Sequence, residues 1–435
     1  MTLAEIIMKS LGYNIPEALE IILKTQRLPQ YKLLQWQNDK KWMMAKYHFT
    51  NNPFYYKKLS KQFPKNWNEL PIMEKSDYQI SFNEILSTGF SKKNTYIANT
   101  SGSSGHPFYY AKNKDAHALT WALTINRYDW HKINLSSKEA RFYGMPLDKK
   151  NRYFELCKDF FFNRKRFNVF DLSDKNFNRY LFFFKENKFN YIYGYTNSLV
   201  LFARFLIKRK KILKEICPSI NLCIITSELL TSENRFLLSK GFGTLIINEY
   251  GISEAGGITA FQDKNMNWKL STESQYLEIV DDNNNLVPVG NDGNILITDL
   301  YNKAMPFIRY KVGDIGRLIK KDNTFYLDHL IGRINDTIRL PNGKTSPGLT
   351  FYYISKSTLE KTGIIKEFIV RQTKIDTFIF EIVSDRDLTK NEIKQIKKDL
   401  DLYLEPGLKL IINRTSKIVR EKSGKTKHFY SELNE

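Results

Sequence analysis

Thr244-Leu245-Ile246-Ile247-Asn248-Glu249-Tyr250-Gly251-Ile252-Ser253-Glu254-Ala255-Gly256-Gly257 reads as a buried strand running into a polar, glycine-punctuated loop. The apolar run from Thr244 to Asn248 is short and continuous, as in a strand covered on both faces. Open α/β sheets bind ligands beyond the carboxyl ends of their strands, so the segment after Asn248 is a candidate site. An aromatic ring such as Tyr250 can stack there on a base, and Glu254 offers an oxygen to Mg²⁺. Read alone, such a segment is more often an ordinary strand-to-loop turn. Its meaning depends on the rest of the chain.

Upstream, Leu222 to Thr226 reads as a second buried strand, and Ile192 to Leu206 as a buried helix after a turn at Gly194. From Tyr96 to about Ile331, β-rich runs alternate with helical ones, which favours an α/β fold with helical layers on a sheet. The first 70 or so residues read helical: Leu3, Ile6 and Ile7 share a face, and Pro16 opens a helix carrying Ala18, Leu19, Ile21 and Ile22. They are expected to brace the main domain.

Downstream, Gln275 to Val280 and Gly293 to Leu300 flank the turn-forming Asp281-Asp282-Asn283-Asn284-Asn285, with further turns expected at Gly313-Asp314 and Gly332-Arg333. This section reads as more antiparallel. A distinct unit follows Gly332: strands around Phe368 to Arg371 and Thr377 to Val383, a helix opened by the capping box Thr389-Lys390-Asn391-Glu392, and a strand at Leu408 to Asn413. The expected division is a large domain of layered mixed β-sheets and helices over 1–331 and a small C-terminal α+β lid domain over 332–435.

The 435 residues carry a formal charge of +21, with 67 Lys and Arg against 46 Asp and Glu. Such a surface attracts anions, whether nucleic acid, an anionic bilayer, nucleotides or CoA-like molecules, and charge does not choose among them. Clusters such as Arg164-Lys165-Arg166 and Lys208-Arg209-Lys210-Lys211 read first as solvated faces or loops. Cys157, Cys217 and Cys223 lack CxxC spacing and nearby histidines, which argues against a disulfide framework and a zinc ribbon and for buried free thiols. The N-terminus lacks a signal-peptide core, and the longest apolar run, Leu199 to Ile207, is too short to span a membrane and contains Arg204. The expectation is a cytoplasmic protein, at most peripheral at the inner face of the membrane.

Four further segments carry chemistry. Thr100-Ser101-Gly102-Ser103-Ser104-Gly105-His106-Pro107 combines glycines that permit close backbone approach with hydroxyls and amides that can surround a polyanion such as the triphosphate of ATP. It lacks the Lys-Ser/Thr ending of the Walker loop. In Pro306 to Asp314, Asp314 is read on a turn, where it can accept hydrogen bonds from both ribose hydroxyls. In Gly332-Arg333-Ile334-Asn335-Asp336, Arg333 can hold phosphate or ribose, and the next residues can act as a hinge. Arg420-Glu421-Lys422-Ser423-Gly424-Lys425 is a basic loop that can carry a cation to a phosphate. Each alone has a plainer reading, as a linker, a hairpin turn, an interdomain connection or a basic tail.

Taken together and in this order, the five segments resemble the adenylate-forming ligase superfamily, and within it the phenylacetate-CoA ligase branch with its relatives encoded among capsule polysaccharide genes. Leu70-Pro71-Ile72-Met73-Glu74-Lys75 and Ile192-Tyr193-Gly194-Tyr195 also look like landmarks of that branch, so the resemblance runs from about Leu70 to His428. It implies an acyl-CoA synthetase-like fold and a two-step reaction. A carboxylate attacks the α-phosphate of ATP to give an acyl-adenylate and pyrophosphate, and a thiol such as CoA, or an amine or hydroxyl, then displaces AMP.

Position by position, the resemblance implies that Thr100, Ser101, Gly102, Ser103, Ser104 and Gly105 grip the β- and γ-phosphates, with Thr100 or Ser101 near the metal. Tyr250 would lie against adenine with Gly251 and Ser253 beside it, Glu254 would bind Mg²⁺, and Asp314 the ribose hydroxyls. Arg333 would hold the ribose or phosphate, and Lys425 would bridge the carboxylate and the α-phosphate when the small domain closes. The hinge position, usually Asp or Lys in the family, is Asn335 here, and His106 stands where the family often has Lys. By position the acyl pocket would draw on Tyr143, Tyr193, Gly194, Tyr195, Ser227, Glu228 and Gly256. Phe160-Phe161-Phe162 and Phe182-Phe183-Phe184 can line a pocket but read first as core. The branch often dimerises, which points to a homodimer.

Two other readings compete. One is transfer to a protein thiol, as in acyl-protein synthetases. The other, of a different class, is a basic nucleic-acid-binding protein using Lys409, Arg414, Lys417, Arg420, Lys422, Lys425 and Lys427, although no DNA- or RNA-binding motif accompanies that run and specific binding is not expected.

Overall fold

Five strands with alternating faces pair in parallel at one end of the main sheet: β3 (Glu139–Tyr143), β4 (Arg164–Asn168), β5 (Tyr191–Tyr195), β6 (Leu222–Thr226) and β7 (Leu245–Ile252). They belong to a computed structural model that describes residues 3–78, 80–100, 108–144, 149–169, 172, 174–227, 230–322, 324–333, 337–343, 345–347, 351, 365–418 and 429–433. The helices that precede and connect the parallel strands are α1 (Leu3–Ser10), α2 (Ile15–Gln26), α3 (Gln30–Asn51), α4 (Pro53–Lys58), α5 (Phe82–Ile85), α6 (Lys114–Asp129), α7 (Lys149–Phe161), α8 (Asp174–Glu186), α9 (Thr196–Lys208), α10 (Leu213–Ile216) and α11 (Ser232–Phe242). A separate antiparallel pair, β1 (Tyr96–Thr100) and β2 (Phe108–Lys112), flanks the glycine-rich segment.

The parallel strands continue antiparallel into β8 (Gly257–Gln262) and β9 (Trp268–Leu270). With β10 (Gln275–Val280), β11 (Asp292–Asp299), β12 (Tyr310–Lys321) and β13 (Thr324–Arg333) they form an eleven-stranded sheet of order β10-β11-β12-β13-β9-β8-β7-β6-β5-β3-β4. The expected hairpin is β10 with β11, paired antiparallel. Gly293 sits where a Cβ would come within 2.5 Å of the Val280 carbonyl oxygen, so the pairing demands glycine there.

Because side chains alternate along a strand, the parallel strands face two cores. Ala140, Phe142, Ile192, Cys223, Ile225 and Ile246 join one, with Phe177 and Phe184 of α8, Phe202 of α9 and Phe242 of α11. Tyr191, Leu222, Ile224 and Ile247 join the other, with Leu119 and Leu123 of α6, Ile22 of α2 and Met8 of α1. Helices α1 and α2 contribute to the second core, and α1 does so through a different face than the sequence suggests: it buries Ala4 and Met8 while Ile6 is exposed.

The chain folds into two compact units, Met1–Val312 with Gly316–His329, and Gly313–Ile315 with Leu330–Glu435. In the second, β14 (Thr337–Arg339) pairs antiparallel with β15 (Thr345–Pro347). A four-stranded sheet of order β18-β17-β16-β19 joins β16 (Ile365–Lys374), β17 (Thr377–Ser384), β18 (Lys409–Arg414) and β19 (Phe429–Ser431). Helix α12 (Lys390–Tyr403) crosses from β17 to the parallel β18 and starts at the reciprocal Thr389–Glu392 capping box.

Three local expectations are corrected. Gly194 is interior to β5 and not a turn; a Cβ there would meet Phe142 on neighbouring β3, with the carbonyl oxygen 2.6 Å away. Gly313-Asp314 and Gly332-Arg333 are strand residues of β12 and β13, where ladder pairing overrides the turn propensity of glycine. Cys217 and Cys223 are buried thiols, but Cys157 is only half-buried.

Candidate functional site

Strand β7 runs four residues beyond the Asn248 expected from its apolar pattern, because its end pairs with β8 through a bulge between Tyr250 and Gly251. The reversal needs Gly256 and Gly257, both at φ +92. A Cβ on Gly256 would come within 2.5 Å of the Gln275 amide nitrogen, and one on Gly257 within 2.6 Å of the Thr120 methyl. Tyr250 is buried at this strand end. Tyr310 donates a hydrogen bond to Glu254 Oε1 at 3.1 Å, and Tyr110 of β2 pairs with the Ser253 side chain. Glu254 Oε2 makes no hydrogen bond among the described residues.

Lys112 at the end of β2 is 2% exposed and donates from Nζ to Thr120 Oγ1 at 3.3 Å. Burial pulls its ammonium down to about 8, opposed by the charges of Asp299 and Glu254. Ser227, at the end of β6, adopts φ +72, a left-handed conformation unusual for a residue other than glycine.

A cavity of about 520 Å³ opens in the first unit between α1, α6 and the parallel strands, lined among others by His117, Trp121, Arg141, Tyr193 and Glu249. Glu249 accepts hydrogen bonds from Tyr193 at 2.9 Å and Tyr128 at 3.2 Å. Burial raises its carboxyl to about 7, against those two bonds and the nearby Arg141 charge. Arg141 bonds Glu139 through Nε at 2.5 Å, and its guanidinium lies 4.7 Å from the Tyr193 ring and 5.3 Å from the Tyr143 ring. Glu139 also meets Arg164 at 3.2 Å and accepts from the Tyr191 hydroxyl at 2.8 Å.

Of the residues expected to form a substrate pocket, Tyr193 lines this cavity. Tyr195 lies in the phenylalanine-rich core, with Tyr143 packed against that core and its ring 4.1 Å from Tyr195. Gly194 faces Phe142, Ser227 is exposed, and Gly256 contributes a carbonyl 3.5 Å from the Thr120 hydroxyl. Phe161 and Phe162 line the cavity, whereas Phe184 is core. Asp314 is buried on β12, and Thr100 and Arg333 end β1 and β13. The expectations for Ser101, Gly102, Ser103, Ser104, Gly105, Glu228, Asn335 and Lys425, and for the side chains of Thr100 and Arg333, fall outside the described residues.

The sequence reading missed Arg141, His117, Lys112 and Glu249. The signal was available: Glu139-Ala140-Arg141-Phe142-Tyr143 alternates polar with apolar, as a strand between a wet and a dry face does.

No family model matches the chain. It is similar to Protein CapK of Staphylococcus aureus, with 23% identity over 381 residues, covering 83% of this chain and 79% of that protein. Among solved structures, 2-hydroxyisobutyryl-CoA ligase in the postadenylation state with 2-HIB-AMP superimposes with a TM-score of 0.69 at 14% identity, covering 91% of this chain and 88% of that one. The chain has the fold of the adenylate-forming CoA ligases. The same fold relates it to ATP-bound MatB from Rhodopseudomonas palustris, with a TM-score of 0.54, 14% identity and coverage of 77% and 66%. It also relates it to the amide bond synthetase McbA from Marinactinospora thermotolerans, with a TM-score of 0.52, 12% identity and coverage of 75% and 66%.

On this ligase fold, Glu254 fits a magnesium site of the kind completed by phosphate oxygens and water. Mg²⁺ is commonly held by one or two carboxylates plus substrate phosphates, and Glu254 presents one oxygen tied to Tyr310 and one without a hydrogen bond among the described residues. Among the described residues no cluster of three or more His, Cys, Asp or Glu forms a closed cage for a metal.

Proposed function

We propose that this protein activates a carboxylic acid with ATP, giving an acyl-adenylate and pyrophosphate, and passes the acyl group to the thiol of CoA or to an amine or hydroxyl acceptor. The observation that carries the reading is the fold, shared over 91% of the chain with a ligase bound to 2-HIB-AMP, with Glu254 and Tyr250 at the strand end where such sheets hold ligands. Two anions must meet in line, so the work is charge neutralisation and positioning. Bound Mg²⁺ would supply charge on the phosphates.

On this reading Tyr310 orients Glu254, Tyr250 packs the adenine with Gly251 and Ser253 beside it, and the 100–105 segment holds the leaving pyrophosphate. Asp314 binds the ribose, Arg333 a phosphate or the ribose, and Lys425 brings an ammonium to the reacting carboxylate, with Asn335 as the hinge. The resemblance of the five segments to relatives encoded among capsule polysaccharide genes points to an acceptor in cell-surface polysaccharide assembly. A formal charge of +21 suits an anionic acceptor such as CoA or a lipid-linked glycan at a membrane surface.

The test is carboxylate-dependent exchange of labelled pyrophosphate into ATP. Exchange with at least one acid, reduced on the order of 100-fold or more by Lys425→Ala, is the expected result. Absence of exchange across a broad panel of acids overturns the reading. AMP release measured with and without CoA identifies the acceptor class.

A further inference from the structure

The cavity beside β7 is unusual in holding polar groups that its own walls do not satisfy. His117, 9% exposed on α6, accepts a hydrogen bond at Nε2 from Trp121 at 3.2 Å, which places the proton of the neutral ring on Nδ1. Nδ1 has no hydrogen-bond partner among the described residues. Burial and the Lys112 charge hold the ring neutral, with its titration pushed down to about 3. The ring is fixed face to face on Tyr96, with centroids 3.7 Å apart, so the donor cannot turn away without breaking that stack. The Nη groups of Arg141 likewise have no acceptor among the described residues, since the guanidinium spends only Nε on Glu139.

The carboxylates around the cavity are already engaged. Glu139 is shared by Arg141 and Arg164, Glu155 is held by Lys158 at 2.8 Å and Arg166 at 2.7 Å, and Glu249 accepts from two tyrosines. Among the described residues none is left to receive an ammonium. A second carboxylate on a ligand could pair with Arg141 but would bring no donor to Glu249, while a bare alkyl or phenyl group would bury the His117 and Arg141 donors unpaired. A ligand hydroxyl avoids both problems, because it accepts from one neighbour and donates to another.

The cavity lies next to the strand end that carries Tyr250 and Glu254. Glu249 precedes Tyr250, and Thr124, which lines the cavity, is one turn of α6 beyond Thr120, whose hydroxyl contacts the Gly256 carbonyl.

We propose that this cavity is the acid-binding pocket and that it selects a hydroxylated carboxylic acid, with hydroxyl groups bonded to His117 Nδ1, Arg141 and Glu249. The assignment of the ligand as the substrate acid rests on the function proposed above; the preference for hydroxyls rests on the cavity alone. A site built to bond a substrate hydroxyl discriminates strongly against the analogue that lacks it.

Six-carbon acids separate the alternatives: gluconate and glucuronate carry hydroxyls, hexanoate a bare chain, adipate a second carboxylate and 6-aminohexanoate an ammonium. Calorimetric titration of the full chain, with and without α,β-methylene-ATP, reads binding independently of turnover. At least one of gluconate and glucuronate is expected to bind on the order of tenfold or more tighter than the other three. His117→Phe, which keeps a ring to stack on Tyr96, is expected to remove most of that preference, and Arg141→Met provides a second variant should the first fail to fold. Equal or tighter binding of hexanoate, adipate or 6-aminohexanoate, failure of both hydroxylated acids to bind, or an undiminished preference in both folded variants overturns the proposal. Selective binding without pyrophosphate exchange would leave the pocket assignment standing and remove the catalytic reading instead.

Discussion

Tyr310 holds Glu254 by one carboxylate oxygen, at 3.1 Å, and among the described residues the other oxygen makes no hydrogen bond. A carboxylate fixed in this way presents its second oxygen in one direction, and groups that orient a metal ligand typically matter by 10- to 100-fold. Tyr310→Phe is therefore expected to raise the Mg²⁺ concentration for half-maximal pyrophosphate exchange by roughly tenfold, and Glu254→Gln to lower the rate on the order of 100-fold. A Mg²⁺ titration of Tyr310→Phe that superimposes on that of the unmodified protein would refute the positioning role.

Glu249 sets a pH dependence whose sign can be worked out. Its carboxyl titrates at about 7 in the fold, against 4.5 when exposed, so the native state keeps its proton over a range in which the unfolded chain has lost it. The stability it contributes is complete below about 4.5 and is lost as pH rises through 7. Against Glu249→Gln, the unmodified protein should lose stability over that window, by up to about 3 kcal/mol. His117 and His48, pushed down to about 3 and about 4, act in the opposite sense in both proteins and cancel in the comparison. Denaturant melts at pH 5 and pH 8 provide the check, and a pH-independent difference would contradict the burial argument.

Lys112 gives the complementary case at alkaline pH. Burial lowers its ammonium to about 8 from 10.5, so between those values the unfolded chain binds the proton that the native chain has released. Relative to Lys112→Met, the protein should gain stability as pH rises from 8 towards 10.5, by up to about 3 kcal/mol. Chemical denaturation of both proteins at pH 8 and pH 10 measures the gain, and parallel curves would rule it out.

Gly194 is expected to tolerate no side chain. A Cβ there would meet Phe142 at 2.6 Å from both its carbonyl oxygen and its own Cβ, and neither can move without separating β5 from β3. Gly194→Ala should destabilise the protein by about 1–3 kcal/mol, the usual cost of overpacking, while leaving the affinity for acid in the surviving fold unchanged. A variant with unaltered thermal stability would count against this register.

The sequence revealed elements whose local signal agrees with their environment. Leu222–Thr226 is buried at every position and was legible as a strand, as were the β10–β11 hairpin and the Thr389–Glu392 cap. Gly194 misled because glycine serves close approach within a sheet as well as turns, and only the neighbouring strand distinguishes the two. Gly313 misled because its left-handed backbone, at φ +84, is used inside β12 and not in a turn. For the candidate site, the Tyr250–Gly257 segment was legible from its residue types at a strand end. The cavity was not, since His117, Arg141 and Glu249 come from separated elements and meet only through sheet order and the packing of α6.

The alternation of the parallel strands carries a consequence for how this protein can change. On β3, Glu139 and Arg141 face the cavity region while Ala140 and Phe142 fill the aromatic core; on β5, Tyr191 and Tyr193 stand opposite Ile192. Neighbouring codons in these strands thus answer to different selective pressures, one set to what the protein recognises and the next to whether it folds. Ligand preference can drift by substitutions at alternate positions without disturbing the aromatic layer, whereas a one-residue insertion in either strand would exchange the two sets and forfeit both.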